Sequence, residues 1–301
     1  MPDTDWPQDG LETVERCPVC ASPRRNPLHD GLRDNVFFCA PGRWTLWRCG
    51  GCRSAYLDPR PTPDTIHLAY TKYFTHDPLV ATQAAGQLSL PRKFRRSLAN
   101  GYRNWRYGTE LRPASRLGIP VALALAPLRR PLDVAFRYLP HPARTEGRRV
   151  LDIGFGNGGF LELAASAGWR ASGCDPDRVA VENARARGLD VREGGVEAWS
   201  DEDGSFDAAT LSHVVEHVHD PRGCLSLVLR LLRPGGWLYV ETPNIDALGH
   251  EEYGRSWCGL DPPRHLALLN WDSCSRVLAD LGFVSIEPKT RFDRLDETGP
   301  I

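Results

Sequence analysis

The chain has 301 residues, a length that fits one large domain or two ordinary ones. Lys and Arg number 37 and Asp and Glu 38, so the formal charge of -1 argues against a nucleic-acid partner held by a global basic field. The charged fraction of 25% and the hydrophobic fraction of 41% exclude a disordered chain. An acidic N-terminus and the lack of any apolar run of about 18 residues predict a cytoplasmic protein without a transmembrane segment.

Two cysteine pairs mark the N-terminal segment. Cys17 and Cys20 form the first CxxC pair, and Cys49 and Cys52 form the second. Each pair can present two thiolates to one tetrahedral zinc ion, and four protein ligands leave no open position for water or substrate. The spacing therefore predicts a structural zinc site. Cys39 lies in the same segment and is an alternative ligand, although it lacks a CxxC partner.

A proline-rich stretch, SAYLDPRPTPD, follows the second cysteine pair. Thr62 is a suitable N-cap, and Pro63 suits the first helical position because its missing N–H has no partner there. A helix of about ten residues is predicted to begin at this point.

The middle of the chain, residues 91–149, is strongly basic. It contains 14 Lys and Arg residues against three acids, and aromatic residues are interleaved with them. Amphipathic helices are predicted, broken at Pro113, Pro120, Pro127 and Pro131. Three interpretations stay open. The segment meets an anionic substrate or a nucleotide-linked or lipid-linked carrier, it rests on an acidic membrane, or it is a solvated cationic face that covers the main domain.

A glycine-rich loop opens the C-terminal half, where alternating short apolar runs and helical runs predict an α/β domain with a parallel sheet. The first strand, RRVLDI, runs directly into GFGNGGF. The loop fits both the dinucleotide pattern GxGxxG and the tighter GxGxG of Gly154, Gly156 and Gly158. Asp152 favours S-adenosylmethionine over NAD, because a carboxylate attracts an amino-bearing ligand and repels a pyrophosphate.

Further strands follow in order. The second, WRASGCD, ends at Asp175, which is placed to accept the ribose hydroxyls of either cofactor. A third is predicted at LDVRE, and the next loop, with Val196, Glu197 and Ala198, is predicted to border the adenine. FDAATL is the fourth strand. CLSLVLRLLRPGGWLYVETPN supplies a helix, a Pro-Gly-Gly turn and a fifth strand, and FVSIEPKTRF a sixth.

The ordered motifs VLDIGFGNG, GCDPD, FDAATLSHVVEH, LLRPGGWLYVETPN and DPPRHLALL resemble class I S-adenosylmethionine-dependent methyltransferases from Arg148 to Thr290. HVVEHV and PPRH are similar to the ubiquinone-biosynthesis O-methyltransferases, and the cysteine-paired module resembles that of deoxysugar C-methyltransferases. The resemblance implies a Rossmann-like α/β fold, a parallel sheet with helices on both faces. Seven strands are implied, one of them antiparallel, but the seventh is not found before Ile301. By the same resemblance, the cofactor would be held by Asp152, Gly154, Gly156 and Asp175.

Methyl transfer from a sulfonium mainly requires alignment of donor and acceptor, and a base is needed only when the acceptor must lose a proton. The predicted catalytic candidates are His213, Glu216, His217 and His265, because a neutral imidazole is available near pH 7. In the ubiquinone branch a cluster of two acids and a histidine accompanies a divalent metal. Here His213 stands for one of the acids, so that metal is not assumed.

Three parts are predicted: a zinc-ribbon-like module over 11–60, a basic helical connector or cap over 61–147, and an S-adenosylmethionine-binding domain over 148–301. The predicted function is methyl transfer to an oxygen or carbon of a small molecule, sugar-like or another secondary metabolite, with anionic or carrier-linked acceptors included. Two alternatives stay open: an NAD-dependent oxidoreductase, and a zinc-ribbon protein that binds nucleic acid and carries a degenerate methyltransferase domain.

Overall fold

The structure is a computed structural model that describes residues 5–71, 89–145 and 147–289. Its strands in chain order are β1 (Leu11–Glu12), β2 (Arg25–Leu32), β3 (Trp44–Cys49), β4 (Ala55–Leu57), β5 (Arg60–Pro61), β6 (Arg149–Ile153), β7 (Arg170–Asp175), β8 (Asp190–Glu193), β9 (Phe206–Ser212), β10 (Leu232–Glu241) and β11 (Ala267–Leu268). Its α-helices are α1 (Leu90–Tyr107), α2 (Gly118–Ala124), α3 (Ala126–Ala135), α4 (Gly159–Ser166), α5 (Arg178–Ala186), α6 (Pro221–Leu231), α7 (Leu248–Tyr253) and α8 (Trp271–Leu281).

The chain folds as two compact units. The first unit combines three segments, namely the chain up to residue 74, residues 212–229 and the chain from residue 240 onward. The second unit combines residues 75–211 with residues 230–239. The predicted division at residues 60 and 147 stays a prediction.

The second unit contains a five-stranded sheet in the order β10-β9-β6-β7-β8. Strand β6 pairs in parallel with both β7 and β9, and β7 pairs in parallel with β8. Parallel strands covered on both faces read as continuous apolar runs, and the first six residues of β9 are all buried. The predicted Rossmann-like parallel sheet is confirmed, with the first four predicted strands at β6, β7, β8 and β9.

Two predictions at the end of the sheet are wrong. Strand β10 begins at Leu232 and includes the three residues predicted as a Pro-Gly-Gly turn, although Gly235, with φ of 75°, still bends the backbone locally. The predicted sixth strand has no regular structure over residues 283–289, and its remainder lies outside the described residues. The apolar alternation there is short, and no neighbouring strand pairs with the described part.

The basic segment is helical as predicted, but its prolines break it differently. Pro113 lies between α1 and α2, whereas Pro120 and Pro127 lie in the first turns of α2 and α3, where a missing N–H costs nothing. Pro131 lies inside α3. None of the helices in the described ranges combines the length and apolar character that a bilayer-spanning segment needs.

The first unit is built around a four-stranded sheet in the order β11-β4-β3-β2. All its pairs are antiparallel, and β11 joins β4 through Ala267 opposite Tyr56 and Leu268 opposite Ala55. The apolar core of this unit includes Trp44 and Leu266 from distant parts of the chain. The unit therefore depends on contacts between its early and late segments.

The prediction of a helix of about ten residues beginning near Thr62 is wrong in both helix type and length. The structure has a 3-10 helix at Ile66–Tyr70, and residues 72–88 lie outside the described residues. The hydroxyl of Thr65 donates to the carbonyl oxygen of Gly10 at 2.7 Å, so the turn before this helix is tied to the N-terminal segment. This contact holds the chain in a tight turn where a cap signal alone predicts an α-helix.

Candidate functional site

Asp175 stands at the carboxyl end of β7 with its carboxylate held in a fixed direction. Its Oδ2 accepts the N–H of Gly156 at 2.8 Å, and its Oδ1 accepts the N–H of Asp177 at 2.9 Å. Burial raises the pKa of Asp175, and these two backbone donors oppose that effect. Each oxygen keeps a second lone pair, so the carboxylate can still accept hydrogen bonds from a ligand.

The glycine loop folds back toward that carboxylate. Gly154, Gly156 and Gly158 all have positive φ, between 57° and 77°, which is the left-handed region that favours glycine. A Cβ built on Gly156 would meet no atom of the described residues within 4 Å. The loop thus presents bare backbone to an open side, immediately before the N-terminus of α4.

Asp152 is paired within the protein. Its side chain is 0% exposed, and its Oδ1 accepts hydrogen bonds from the guanidinium of Arg137 and, at 2.8 Å, from the hydroxyl of Thr210. Burial raises the pKa of Asp152, while Arg137 and Thr210 oppose the shift. Its Oδ2 has no hydrogen-bond partner among the described residues. The predicted contact between Asp152 and the cofactor stays a prediction.

Val196 begins a 3-10 helix, Val196–Trp199, directly after β8. Its side chain is 4% exposed, and the Glu197 carboxylate beside it accepts the N–H of Gly195 at 2.8 Å. Trp199 anchors this turn by donating its indole N–H to the carbonyl of Gly173 at 3.2 Å. Contact of Val196 with an adenine ring stays a prediction.

In the first unit, the structure brings together three of the predicted catalytic candidates. Ligand atoms of Glu216, His217 and His265 all lie within 4.8 Å of one another. Nδ1 of His217 lies 3.0 Å from the carbonyl oxygen of Arg264, and Nδ1 of His265 lies 2.9 Å from that of Gly259. A carbonyl only accepts, so each Nδ1 carries the proton and each Nε2 keeps a lone pair.

Charge within this cluster favours an ionised carboxylate beside a neutral imidazole. Burial raises the pKa of Glu216, but the hydrogen bond from His213 and the neighbouring imidazoles outweigh it and lower the pKa to about 2. The pKa of His217 is lowered to about 4, mainly by burial and to a smaller extent by electrostatic interaction with His265. One carboxylate and two imidazole nitrogens are also ligands suited to a divalent transition metal.

His213 lies at the edge of this cluster. Its side chain is 48% exposed, and its Nδ1 is 3.2 Å from Oε1 of Glu216. The backbone N–H of His213 donates to the backbone carbonyl of Glu241 at 2.8 Å. Its φ of 56° is unusual for a residue with a side chain. Position 213 therefore orients the Glu216 carboxylate from the solvent side.

Sequence reasoning missed two side chains that contact candidate residues. Arg137, which bonds to Asp152, belongs to the basic segment and has no motif of its own. The hydroxyl of Tyr70 lies 3.1 Å from Nδ1 of His217. Arg264, in the PPRH segment, is buried and pairs with the carboxylates of Asp261 and Asp34, which are buried too.

The four cysteines of the two CxxC pairs lie together in the first unit. Their sulfur atoms are within 4.8 Å of one another, with Cys17 to Cys52 at 3.7 Å and Cys20 to Cys49 at 3.5 Å. Zinc–sulfur bonds of about 2.3 Å in a tetrahedron imply sulfur–sulfur separations of about 3.8 Å. Cys39 lies apart from this set and points its thiol at the carbonyl of Ala69, 3.8 Å away.

The C-terminal half of the chain matches a known family. The family model described as a methyltransferase domain matches residues 126–287. The ubiquinone biosynthesis O-methyltransferase of Chelativorans sp. (strain BNC1) is 31% identical over 194 residues, which cover 60% of this chain and 76% of that protein. The chain belongs to the methyltransferase domain family. The predicted resemblance is therefore confirmed.

Other members of the family are similar over shorter stretches. The ubiquinone biosynthesis O-methyltransferase of Paracidovorax citrulli (strain AAC00-1) is 35% identical over 113 residues, covering 35% of this chain and 48% of that protein. The chain spans about half the length of the first curated relatives it matches. A SAM-dependent methyltransferase from Archaeoglobus fulgidus is a similar solved structure, with 25% identity, coverage of 58% of this chain and 72% of that one, and a TM-score of 0.42.

Proposed function

We propose that the protein transfers a methyl group from S-adenosylmethionine to an oxygen or carbon atom of a small molecule. The observation that carries the proposal is the hydrogen bond from Gly156 to Asp175, because it joins the glycine loop and the acidic strand end into one cradle. A ribose diol can bind the free lone pairs of Asp175, and the bare backbone at Gly156 leaves room for the rest of the nucleoside.

The other predicted cofactor residues fit the same ligand. Gly154 and Gly158 keep the loop backbone in conformations that suit glycine, and Val196 follows the next strand as the proposed neighbour of the adenine. The unpartnered Oδ2 of Asp152 suits the amino group of the methionyl portion. Because Asp152 is fully buried, that contact requires a movement of Arg137 or another neighbour.

S-adenosylmethionine supplies an activated methyl group, so the protein need only bind, orient and exclude water, and remove a proton where the acceptor carries one. We propose that the predicted catalytic residues do the last of these. His265 and His217 keep Nε2 lone pairs available for a proton, Glu216 compensates the resulting charge, and His213 orients Glu216. A sugar-like or other secondary metabolite, anionic or carrier-linked, is the proposed acceptor class.

A structural zinc ion is proposed for the four cysteines. The sulfur separations match a tetrahedral site, and the hydrogen bond between Cys17 and Cys52 raises the pKa of the first and lowers the pKa of the second, since the two sulfurs share one proton. Four thiolates fill the coordination sphere of the ion, so its role is to fix the fold of this segment.

The deciding experiment is calorimetric titration of the zinc-loaded protein with S-adenosylmethionine, S-adenosylhomocysteine and NADH. We expect the two sulfur nucleosides to bind and NADH to be silent. Asp175→Ala should abolish binding without unfolding the protein. Asp190→Ala is the matched control, because Asp190 begins the neighbouring strand β8 at the opposite end and pairs only with Ser172 in the described residues.

Binding of NADH alone would support an oxidoreductase and refute the proposal. A folded Asp175→Ala variant with unchanged affinity would refute the ribose contact. Salt-dependent binding of RNA, with silence from all three nucleosides, would support the alternative of a nucleic-acid-binding protein.

A further inference from the structure

In the second unit, an exposed apolar stretch runs from the residue before α2 into the first turn of α3. Four leucines between residues 117 and 128 are about half exposed or more: Leu117 64%, Leu123 50%, Leu125 49% and Leu128 50%. The twelve residues from 117 to 128, LGIPVALALAPL, include no charged or polar side chain. We refer to these four leucines as the leucine face. Monomeric proteins rarely expose contiguous apolar surface without a use for it.

The start of α2 and the residues before it pack closely against α1. A Cβ built on Gly118 would lie 1.8 Å from the carbonyl oxygen of Leu98, and one built on Gly101 would lie 1.8 Å from that of Ser115. The N–H of Ser115 also donates to the carbonyl of Ser97 at 2.9 Å. These close backbone contacts hold the start of α2 against α1.

Cationic residues flank the leucine face in the sequence. Arg116 precedes it, and Arg129 and Arg130 follow it directly. Arg116 and Arg130 have no acidic partner in the part of the chain that the structure describes, whereas Arg129 lies 3.5 Å from Asp133. The exposed first turns of α1 add four cations around an exposed aromatic ring, namely Arg92, Lys93, Phe94, Arg95 and Arg96.

We propose that the leucine face and its flanking cations bind the surface of an anionic phospholipid bilayer. The twelve-residue stretch is too short to span a bilayer, which needs about 20 residues, so α2 would lie in the plane of the interface. The leucines enter the boundary between headgroups and acyl chains, while the arginines contact the lipid phosphates. This inference does not rest on the proposed methyl transfer.

A bilayer fits this surface better than a nucleic acid does. Leucine side chains neither stack on bases nor form hydrogen bonds, and single-stranded nucleic acids require both stacking surfaces and a cationic groove. The charges also argue against a second copy of the chain, since pairing two leucine faces would place their flanking arginines against each other. Charge complementarity therefore selects an anionic surface with an apolar interior.

The test is flotation of the full chain with two kinds of vesicle, phosphatidylcholine alone and phosphatidylcholine mixed with phosphatidylglycerol. We expect binding to the mixed vesicles only. The variant Leu123→Gln, Leu125→Gln, Leu128→Gln should lose at least about tenfold in affinity for them. The matched control replaces three exposed apolar residues elsewhere, Val179, Leu248 and Val284, by glutamine and should bind as the unaltered protein does.

A second variant isolates the charge contribution. Arg116→Gln with Arg130→Gln should reduce the preference for the mixed vesicles and weaken the salt dependence of binding. Circular dichroism of each variant verifies that the helices are intact. The proposal is overturned if the unaltered protein binds neither vesicle, if the leucine variant binds equally well, or if the control variant loses as much. Vesicle-independent dimerisation that the leucine variant abolishes would likewise overturn it in favour of a second copy.

Discussion

The guanidinium of Arg137 is hydrogen-bonded to the buried carboxylate of Asp152. The same Nη1 atom donates to the hydroxyl of Thr210 at 2.8 Å, and the guanidinium lies 3.9 Å from the ring centroid of Phe160. The cation beside Asp152 is thus a residue of the basic segment, whereas the sequence predicts the amino group of a ligand at that position. This pair ties the helical segment to the first strand of the parallel sheet within the second unit.

Replacing Arg137 by methionine is expected to destabilise the protein by about 3–5 kcal/mol, because it leaves the buried charge of Asp152 without its partner. The double variant Arg137→Met, Asp152→Asn should regain most of that loss. Urea denaturation measures both. The control is Arg178→Met, which breaks an exposed pair with Glu182 and should change the stability little, because solvent screens that pair. Equal losses from Arg137→Met and Arg178→Met would contradict the assignment.

Removal of zinc is expected to unfold the first unit. We predict one zinc ion per chain by atomic absorption, and loss of that ion in Cys20→Ser. Cys39→Ser should keep it, since Cys39 lies outside the sulfur cluster. Thermal unfolding with and without a chelator reports the stability change. If Cys39→Ser lost zinc as readily as Cys20→Ser, the proposed ligand set would be wrong.

Stability should fall in mild acid because of a histidine pair in the first unit. Nε2 of His29 lies 2.9 Å from Nε2 of His250, whose Nδ1 is bound to the carbonyl of Ile245. Burial lowers the pKa of both imidazoles. The unfolded chain then binds protons more readily than the folded one, so stability is lost as the pH drops below about 6.5.

The charges facing this pair include Arg255 near His29, and Arg48 and Asp246 near His250. The variant His29→Gln, His250→Gln should therefore show a smaller drop in melting temperature between about pH 7 and pH 5. His67→Gln, at an exposed histidine, is the control and should retain the drop. A pH dependence that is the same in all three proteins would rule out the pair as its source.

Arg264→Lys is expected to destabilise the protein by about 2 kcal/mol or more although the charge is kept. The guanidinium is fully buried and bonds to Asp34 and Asp261 at once, which a lysine ammonium cannot reproduce with the same geometry. Denaturant titration measures the loss. Arg255→Lys is the control, because Arg255 is exposed and donates to a backbone carbonyl. The stability of this variant should differ little from that of the unaltered protein.

Local motifs were the part of the site that the sequence could predict. The glycine loop and the strand-end Asp175 are neighbours of regular elements, and the two CxxC pairs bring four sulfur atoms within 4.8 Å of one another. The partners Arg137 and Tyr70 could not be found in this way, because each is brought to its candidate residue by folding and carries no spacing signal. The prediction of an α-helix from Thr62 is wrong for the same reason. The hydrogen bond from Thr65 to Gly10, which fixes that turn, is a tertiary contact.

The pairing of β4 with β11 means that the sheet of the first unit cannot be finished until late in synthesis. Ala55 and Tyr56 are synthesised first, and their partners Leu268 and Ala267 emerge only about 210 residues later. Until then one edge of β4 stays open to pairing with other chains. The nascent N-terminal segment would acquire the proposed zinc ion before its sheet is finished, because the four cysteines of the two CxxC pairs lie before residue 53. Expression of the N-terminal segment alone should therefore give a metal-bound but aggregation-prone fragment.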